Sequence, residues 1–516
     1  MDQNLYSALH HEFPPPGRPC LIGPEADLIS YGQVHARSAQ LAHLLRGRGV
    51  QAGDRVAAQV EKSAEVILLY LAVLRLGAIY LPLNTAYTLA ELEYFLTDSA
   101  PRMLVCDPGR AEALGSLAKR LGISSLETLG ADGRAGTLSA AADEFPGVFA
   151  DVSRQSSSLA AILYTSGTTG RSKGAMLTHG NLLSNARALR DAWHFATEDR
   201  LLHALPVFHI HGLFVAINVT LAAGASALLL PKFDPDQVFR HLSATTVLMG
   251  VPTFYVRLLQ DPRLSRASTS TIRLFVSGSA PLLAETHREW QARTGQAILE
   301  RYGMTETGIN TSNPYEGERR AGTVGLPLPG VEMRIVDLES GSALGQGALG
   351  MIEVRGPNVF AGYWRNPEKT QSEFHDGYFI TGDIGQIDER GYLHIVGRGK
   401  DLIISGGYNV YPKEIEDEIN ALEGVAESAV VGLPHPDLGE GVTAIVVPLP
   451  RICDLNEATI LERLRVRLAS YKCPKRILFV DDLPRNTMGK VQKSLLRNTH
   501  HQLYLETSDR GSRNTL

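Results

Sequence analysis

The chain has 516 residues and a formal net charge of −5, with 44% of residues apolar and 20% charged. This is the composition of an ordinary globular protein, too long for a single hydrophobic core, so two or more domains are expected. No basic stripe is available to displace phosphate counterions, which argues against nucleic-acid binding, and the four cysteines, Cys20, Cys106, Cys453 and Cys473, form no CxxC pair and fit reduced thiols better than a disulfide framework or a zinc site.

The first residues, "MDQNLYSALHHEFPPPGRP", lack a basic region followed by an apolar stretch, so no signal peptide is expected. Short apolar runs then alternate with helix-like patterns, as in "DRVAAQV" (54–60), "AEVILLYLAVLRLGA" (64–78) and "RMLVCD" (102–107). That alternation predicts βαβ units and parallel sheet. The most apolar run, "LFVAINVTLAAGASALLL" (213–230), is long enough to span a bilayer, but Asn218, Thr220, Gly224 and Ser226 interrupt it. It reads as a buried helix, a turn at Gly224 and a core strand, and a cytoplasmic protein without membrane contact is expected. Further on, "TIRLFVSG" (271–278) predicts a strand and "LLAETHREWQARTG" (282–295) an amphipathic helix. From about residue 330 the texture changes to strand and turn, in "VEMRIVD", "GMIEVRG", "GYFITGD" and "GYLHIVG", predicting a β-rich subdomain over about 330–399. A domain boundary is expected near Gly399–Lys400, giving units of 1–399 and 400–500, with a polar, frayed tail over 501–516.

One stretch stands out chemically. "LYTSGTTGRSKG" (163–174) carries Thr165, Ser166, Gly167, Thr168, Thr169, Gly170 and Lys173 with no acidic residue, and follows the strand-like "AAILY". Glycines admit backbone N–H groups, hydroxyls donate and the lysine neutralises charge, a pattern suited to polyphosphate. It departs from the Walker pattern, because Lys173 is followed by Gly174. A mobile Ser/Gly linker is the bland alternative. "RYGMTET" (301–307) follows "AILE" and is expected to hold Tyr302, Thr305 and Glu306 on a tight loop, with Glu306 suited to Mg²⁺. "SGSAPL" (277–282) offers Ser277, Gly278, Ser279 and Ala280 as a turn against which a flat base could lie. Asp383 and Arg398, expected at strand ends, are suited to ribose hydroxyls, although singly each reads as well as a turn residue or a surface charge.

In this order the motifs resemble the acyl-adenylate-forming superfamily of acyl-CoA synthetases, adenylation domains and luciferases, from about residue 25 to 497. The resemblance implies an α/β fold: a large N-terminal domain of doubly wound sheets plus a β-rich subdomain, and a small mobile α+β C-terminal domain. It also implies that Thr165–Lys173 is the phosphate loop and that Tyr302, with Gly303 and Met304 beside it, stacks on adenine. Thr305 and Glu306 would serve phosphate, with Thr165 and Glu306 attending Mg²⁺. Asp383 and Arg398 would hold ribose, Lys400 would be a hinge, and Lys490 would reach the α-phosphate and the substrate carboxylate. Hinge rotation would carry "SGGYNVYP" (405–412) inward, where Gly406 and Gly407 leave room for a pantetheine arm. ATP, Mg²⁺ and CoA are the implied cofactors and co-substrates.

The acid is read from charge. Arg301 precedes "YGMTET" and Arg257 lies in "GVPTFYVRLL". A buried arginine needs an anion, either a substrate carboxylate or a protein one such as Glu300 or Glu285. "PVFHIHGLFVA", "TSNPYEGERRAGTVGLPLPGV" and "LPRNTMGKVQK" look most like malonyl-CoA synthetases, which implies malonate as substrate, sometimes methylmalonate, with His209 beside the acyl pocket and His203 and His211 structural. Gly308, Ile309 and Asn310 depart from that pattern and could alter pocket volume. No carrier-protein motif with a modifiable serine follows residue 497, so CoA is the expected acceptor, and "SYKCPKR" (470–476) could meet its phosphates. A ligase for another acid, a stand-alone adenylation enzyme and a nonenzymatic nucleotide binder remain as alternatives, in a monomer or a homodimer.

Overall fold

The computed structural model describes residues 2–165, 172–406, 408–449, 455–486 and 489–505. Two large sheets organise the first part of the chain. One has six strands, in the order Ser125–Thr128, Met103–Cys106, Arg55–Gln59, Ile79–Pro82, Leu159–Thr165 and Lys173–Thr178, all parallel except for the last pair. The other has nine: Leu326–Pro327, Gly308–Ser312, Leu299–Met304, Leu274–Ser277, Val247–Gly250, Arg200–His203, Ser226–Leu229, Pro19–Ile22 and Leu28–Ser30. Its interior runs parallel from Leu299–Met304 to Pro19–Ile22, and antiparallel pairs close both edges.

Helices separate and cover these sheets. Ala64–Arg75 is apolar on every side, and it is buried along nearly its whole length between them, as an all-round hydrophobic helix must be. Its two charges are both answered. Glu65 pairs with Arg37. The fully buried Arg75 is matched group by group: Nε meets Asp151 at 2.6 Å, the Nη atoms donate to His35 O, Ser38 Oγ and Phe149 O, and the guanidinium covers the Tyr6 ring. One core cluster joins both sheets to this helix, to Tyr31–Gly47 and to His179–Ala192. Separate clusters pack Pro252–Leu259 and Ala284–Thr294 on the outer face of one sheet and Leu89–Ser99 and Ala111–Arg120 on the outer face of the other. The result is a five-layered α/β stack.

The apolar run at 213–230 resolves into a π-helix (His211–Ile217), a short α-helix (Asn218–Ala222), a left-handed Gly224 (φ +63°) and the strand Ser226–Leu229. Among the described residues no helix is long and apolar enough to cross a membrane. The strand-and-turn texture becomes an antiparallel sheet of Glu332–Val336, Gly350–Arg355, Tyr378–Ile387, Phe374–His375 and Leu393–Arg398. A single turn, Gly399–Asp401, then leads into a last sheet of Ile403–Ser405, Tyr408–Val410, Val425–His435, Gly439–Pro448 and Arg476–Phe479. That sheet has apolar clusters of its own on both faces, under Pro412–Asn420 and Glu457–Arg467 on one side and Lys493–Thr499 on the other.

Two local expectations are corrected. Tyr302 does not lie on a loop: "RYGM" continues the strand Leu299–Met304, which folds back on Gly308–Ser312 so that only Thr305–Thr307 form the turn. Asp383 sits inside the strand Tyr378–Ile387, not at its end, directly across from Arg398, with the left-handed Gly382 and a register shift at Ile384/Gly385 beside it.

Candidate active site

The parallel strands of the nine-stranded sheet place His203, Gly250 and Ser277 at their carboxyl ends, with Glu300 and Arg301 on the next strand. Crevices of open α/β sheets that bind ligands lie at such ends. Gly489, next to Lys490, closes over this edge. A Cβ on Gly489 would lie 3.0 Å from Thr253 Oγ1, so the lysine-bearing loop packs directly on helix Pro252–Leu259.

On one side of the crevice, three expected residues meet. Tyr302 OH donates to Asp383 Oδ2 at 2.6 Å, and Arg398 Nε holds Asp383 Oδ1 at 2.7 Å. The tyrosine is buried and its hydroxyl is held protonated by that burial and by the carboxylate. Lys490 remains open to solvent but is surrounded by protein. That confinement first, then nearby Arg398, pushes its pKa down to about 8, with Lys400 adding to the effect and Asp383 and Asp401 opposing it. A lysine poised near neutrality in a cleft is a functional-site signal.

A second group lies where the phosphate loop begins. Glu306, 6% exposed, accepts from Tyr363 OH at 3.0 Å and from Thr165 Oγ1 at 3.4 Å, and burial raises its pKa against those hydrogen bonds. Lys173 Nζ stands 5.3 Å from the centroid of the Tyr363 ring, its pKa lowered by burial and by Lys369. Tyr363 was not predicted. It joins the site from a chain segment 57 residues beyond Glu306, with no local motif to announce it. Ser166, Gly167, Thr168, Thr169 and Gly170 lie outside the described residues, as does Gly407.

The third group is built around Arg301. Its side chain is buried, and Nε and Nη2 have no hydrogen-bond partner among the described residues. Burial brings its pKa down to about 9. Glu300 does not pair with it: alternation along the strand turns that carboxyl the other way, where it accepts from Leu282 N at 3.2 Å and burial lifts its pKa to about 8. Gly278 makes room for the guanidinium, since a Cβ there would come within 2.5 Å of Arg301 Cζ. His209 is half-buried and kept neutral by burial, then by Arg301 and Lys490, with a pKa of about 4. His211 is fully buried, leans with Nδ1 on Ser279 Oγ at 3.2 Å and leaves Nε2 without a partner among the described residues, so it borders this group. Ser279 takes a left-handed φ of +72°, the kind of backbone strain that collects at functional sites.

Several expectations fall elsewhere. Arg257 is exposed on helix Pro252–Leu259, because Tyr255, Leu258 and Leu259 bury the opposite face, so it is not gathered with Arg301. Gly308, Ile309 and Asn310 pack inward: Asn185 pairs with the Ile309 backbone, and Asn310 bonds Thr307 and Asn358. They brace the Glu306 turn. Lys400 is exposed in the connecting turn, beside an ion pair between Asp401 and Arg497. Gly406 caps the hairpin Ile403–Val410 with φ +59°, next to the exposed Ile404 and Tyr408. Ser277 is buried with its hydroxyl unpartnered, while Ala280, Gly303, Met304 and Thr305 are half-buried along the crevice.

A family model described as "AMP-binding enzyme" matches residues 11–364, and one described as "AMP-binding enzyme C-terminal domain" matches 414–490. The chain belongs to the AMP-binding enzyme family. The solved structure of ATP-bound MatB from Rhodopseudomonas palustris is 58% identical, covers 98% of this chain and 100% of that one, and superposes with a TM-score of 0.96. The apo form of the same protein, equally covered, gives 0.85. Among curated AMP-binding relatives, the malonate–CoA ligase of Arabidopsis thaliana is 35% identical over 91% of this chain and 84% of its own length. The feruloyl-CoA synthase of an Amycolatopsis species is 37% identical over 91% and 93%.

The unpartnered guanidinium carries a stability consequence. Taking such a charge out of water costs several kcal/mol when no anion answers it, so Arg301→Met is expected to raise the melting temperature of the ligand-free protein. A thermal melt checks this, and a clear fall in melting temperature would mean that Arg301 is already satisfied within the fold.

Proposed function

We propose that this AMP-binding enzyme is an AMP-forming acid–CoA ligase whose acid is malonate. The observation that carries the reading is the buried Arg301 guanidinium with no anion beside it among the described residues. A dicarboxylate offers a second carboxylate to that group while the first one reacts. A feruloyl or fatty tail would leave the charge unpaired, which is why the malonate–CoA ligase relative is the better guide than the feruloyl-CoA synthase. Methylmalonate shares the two carboxylates and is the expected alternative substrate.

The chemistry proceeds in two steps. A carboxylate oxygen of malonate attacks the α-phosphorus of ATP, the bond to the bridging oxygen of the β-phosphate breaks, and pyrophosphate leaves with malonyl-AMP formed. The CoA thiol then loses its proton and attacks the acyl carbonyl, and AMP leaves. Two anions must meet in the first step, so catalysis there is mostly positioning and charge stabilisation. Lys490 supplies positive charge to the reacting oxygens. Asp383 and Arg398 hold the ribose, Tyr302 packs against adenine with Gly278, Ser279 and Ala280, and Lys173 and Thr305 attend the phosphates. Glu306 and Thr165 fit a Mg²⁺ site. They face each other at 3.4 Å, and no cluster of three or more metal-ligating side chains exists among the described residues, as suits an ion that takes its other ligands from phosphate and water. When bound, the ion screens the phosphate charge. His209 and Arg301 hold the acid.

Lys490 must withdraw before a thiol can approach, which assigns the hinge to Lys400 and the thiol approach to Gly406 and Gly407. The lowered pKa of Lys490 among Arg398, Asp383 and Lys400, and the better superposition on ATP-bound than on apo MatB, both support reading the present arrangement as the adenylation one.

Three outcomes follow from this assignment. In a pyrophosphate-release screen over mono- and dicarboxylic acids with and without CoA, malonate should far exceed acetate, butyrate and coumarate, and Arg301→Met should erase the preference; equal turnover of monoacids would remove the diacid reading. Because Lys490 is charged only below about pH 8 in the free enzyme, kcat/KM for the acid should fall as pH rises through that value, with no such limb in the residual activity of Lys490→Ala. Lys400→Pro should spare acyl-AMP formation and cripple thioester formation, measured separately; equal loss in both half-reactions would count against the hinge.

A further inference from the structure

Outside the groups described so far, the chain buries one more lysine. Lys62 lies between the strand Arg55–Gln59 and the helix Ala64–Arg75, is 8% exposed, and reaches from the six-stranded sheet to the carboxyl end of Arg200–His203 in the other. Its Nζ stands 2.9 Å from His203 O, 3.0 Å from Leu205 O and 3.1 Å from His203 Nδ1. An ammonium has three hydrogens, and here are three acceptors, none of them a carboxylate. The tautomer agrees: His203 Nε2 lies 2.7 Å from Gly212 O, which can only accept, so Nε2 carries the proton and Nδ1 is free to receive one from Lys62.

These contacts tie together one loop. Gly212 is the second residue of the π-helix, and its N–H and that of Leu213 both donate to His209 O, at 3.1 and 3.0 Å. His211 N donates to His209 Nδ1 at 3.2 Å. The loop is wound so tightly that a Cβ on Gly212 would fall 2.0 Å from Pro206 O. Lys62 thus grips the start of the loop directly and its far side through His203, and the loop delivers His209 and His211 beside Arg301. Burial pushes the Lys62 pKa well below the usual lysine value, so what this side chain supplies is its set of hydrogen bonds, which an apolar side chain filling the same gap could not make.

We infer that Lys62 is a positioning residue for the acid pocket, holding His209 and His211 through its hydrogen bonds to His203 and Leu205. This rests on the proposed placing of the acid at His209 and Arg301, but not on the acid being malonate. The charged and titratable groups around the link are Lys62 itself, His203, His211, His209 and Arg301. Burial, and then Lys62, keep His203 neutral, with a pKa of about 3.

The test uses the full-length enzyme and whichever acid the wild type activates best, so that a wrong substrate changes the acid used and leaves the comparison intact. Lys62→Met should raise KM for the acid by about tenfold or more while KM for ATP and kcat stay within about threefold, the signature of lost ground-state binding. Lys62→Gln, which keeps two donors but no charge, should fall between; it carries the comparison if the methionine variant does not fold. In parallel, ¹⁵N NMR of histidine-labelled wild-type protein should show His203 as the neutral Nε2–H tautomer from pH 8 down to pH 5. An unchanged KM for the acid, an equal rise in both KM values, or a His203 that titrates near pH 6.5 would overturn the inference.

Discussion

A guanidinium removed from water with no carboxylate beside it is costly, and the surroundings of Arg301 are arranged around that cost. The flat face left by Gly278 gives the group its space, the alternation of the strand turns Glu300 away from it, and its positive charge adds to the burial that keeps His209 and His211 neutral. The fold tolerates this because the strand Leu299–Met304 is held on both sides, parallel to Leu274–Ser277 and antiparallel to Gly308–Ser312. A rigid strand prevents the side chain from escaping to solvent. Under the proposed function, the energy held there is recovered when the substrate's second carboxylate arrives, which would turn a stability defect into selectivity.

The other cations in the crevice are handled differently. Arg398 is neutralised by Asp383, which also receives the Tyr302 hydroxyl, so this trio forms a mutually satisfied rim of the crevice. Lys490 is left without a carboxylate partner of its own and relaxes by a lowered proton affinity. Lys173 and Glu306 meet the same Tyr363, one at its ring face and one at its hydroxyl. One arginine is buried without a carboxylate among the described residues, one is paired, and one lysine is poised near neutrality; the proposed function gives these three states the tasks of holding an acid, holding a sugar and visiting a reaction centre.

Much of this was legible along the chain because it is local. The helix Ala64–Arg75 announces itself as apolar on every side, the run at 213–230 breaks at Gly224 where the structure turns, and the strand-and-turn texture beyond residue 330 becomes an antiparallel sheet. Motif residues such as Tyr302, Glu306, Asp383 and Arg398 were singled out by residue type, and the structure brings Tyr302, Asp383 and Arg398 into one hydrogen-bonded group. Their pairing was not legible, since Tyr302 and Asp383 are 81 residues apart and lie on different sheets. Tyr363, and Lys62 with its partner 141 residues away, depend on the same kind of long-range contact. Arg257 is a different matter. The 3.6-residue period turns it outward once Tyr255, Leu258 and Leu259 are recognised as the buried face, and of its two readings, pocket cation or solvated helix residue, the structure favours the second.

The central claim is that an acid carrying a second carboxylate completes Arg301. Isothermal titration calorimetry reads this most directly: malonate and acetate titrated separately into the enzyme saturated with a nonhydrolysable ATP analogue, for the wild type and for Arg301→Met. The account predicts a binding heat for malonate with wild type alone and none for acetate with either protein. Malonate binding that persists undiminished in Arg301→Met would contradict it.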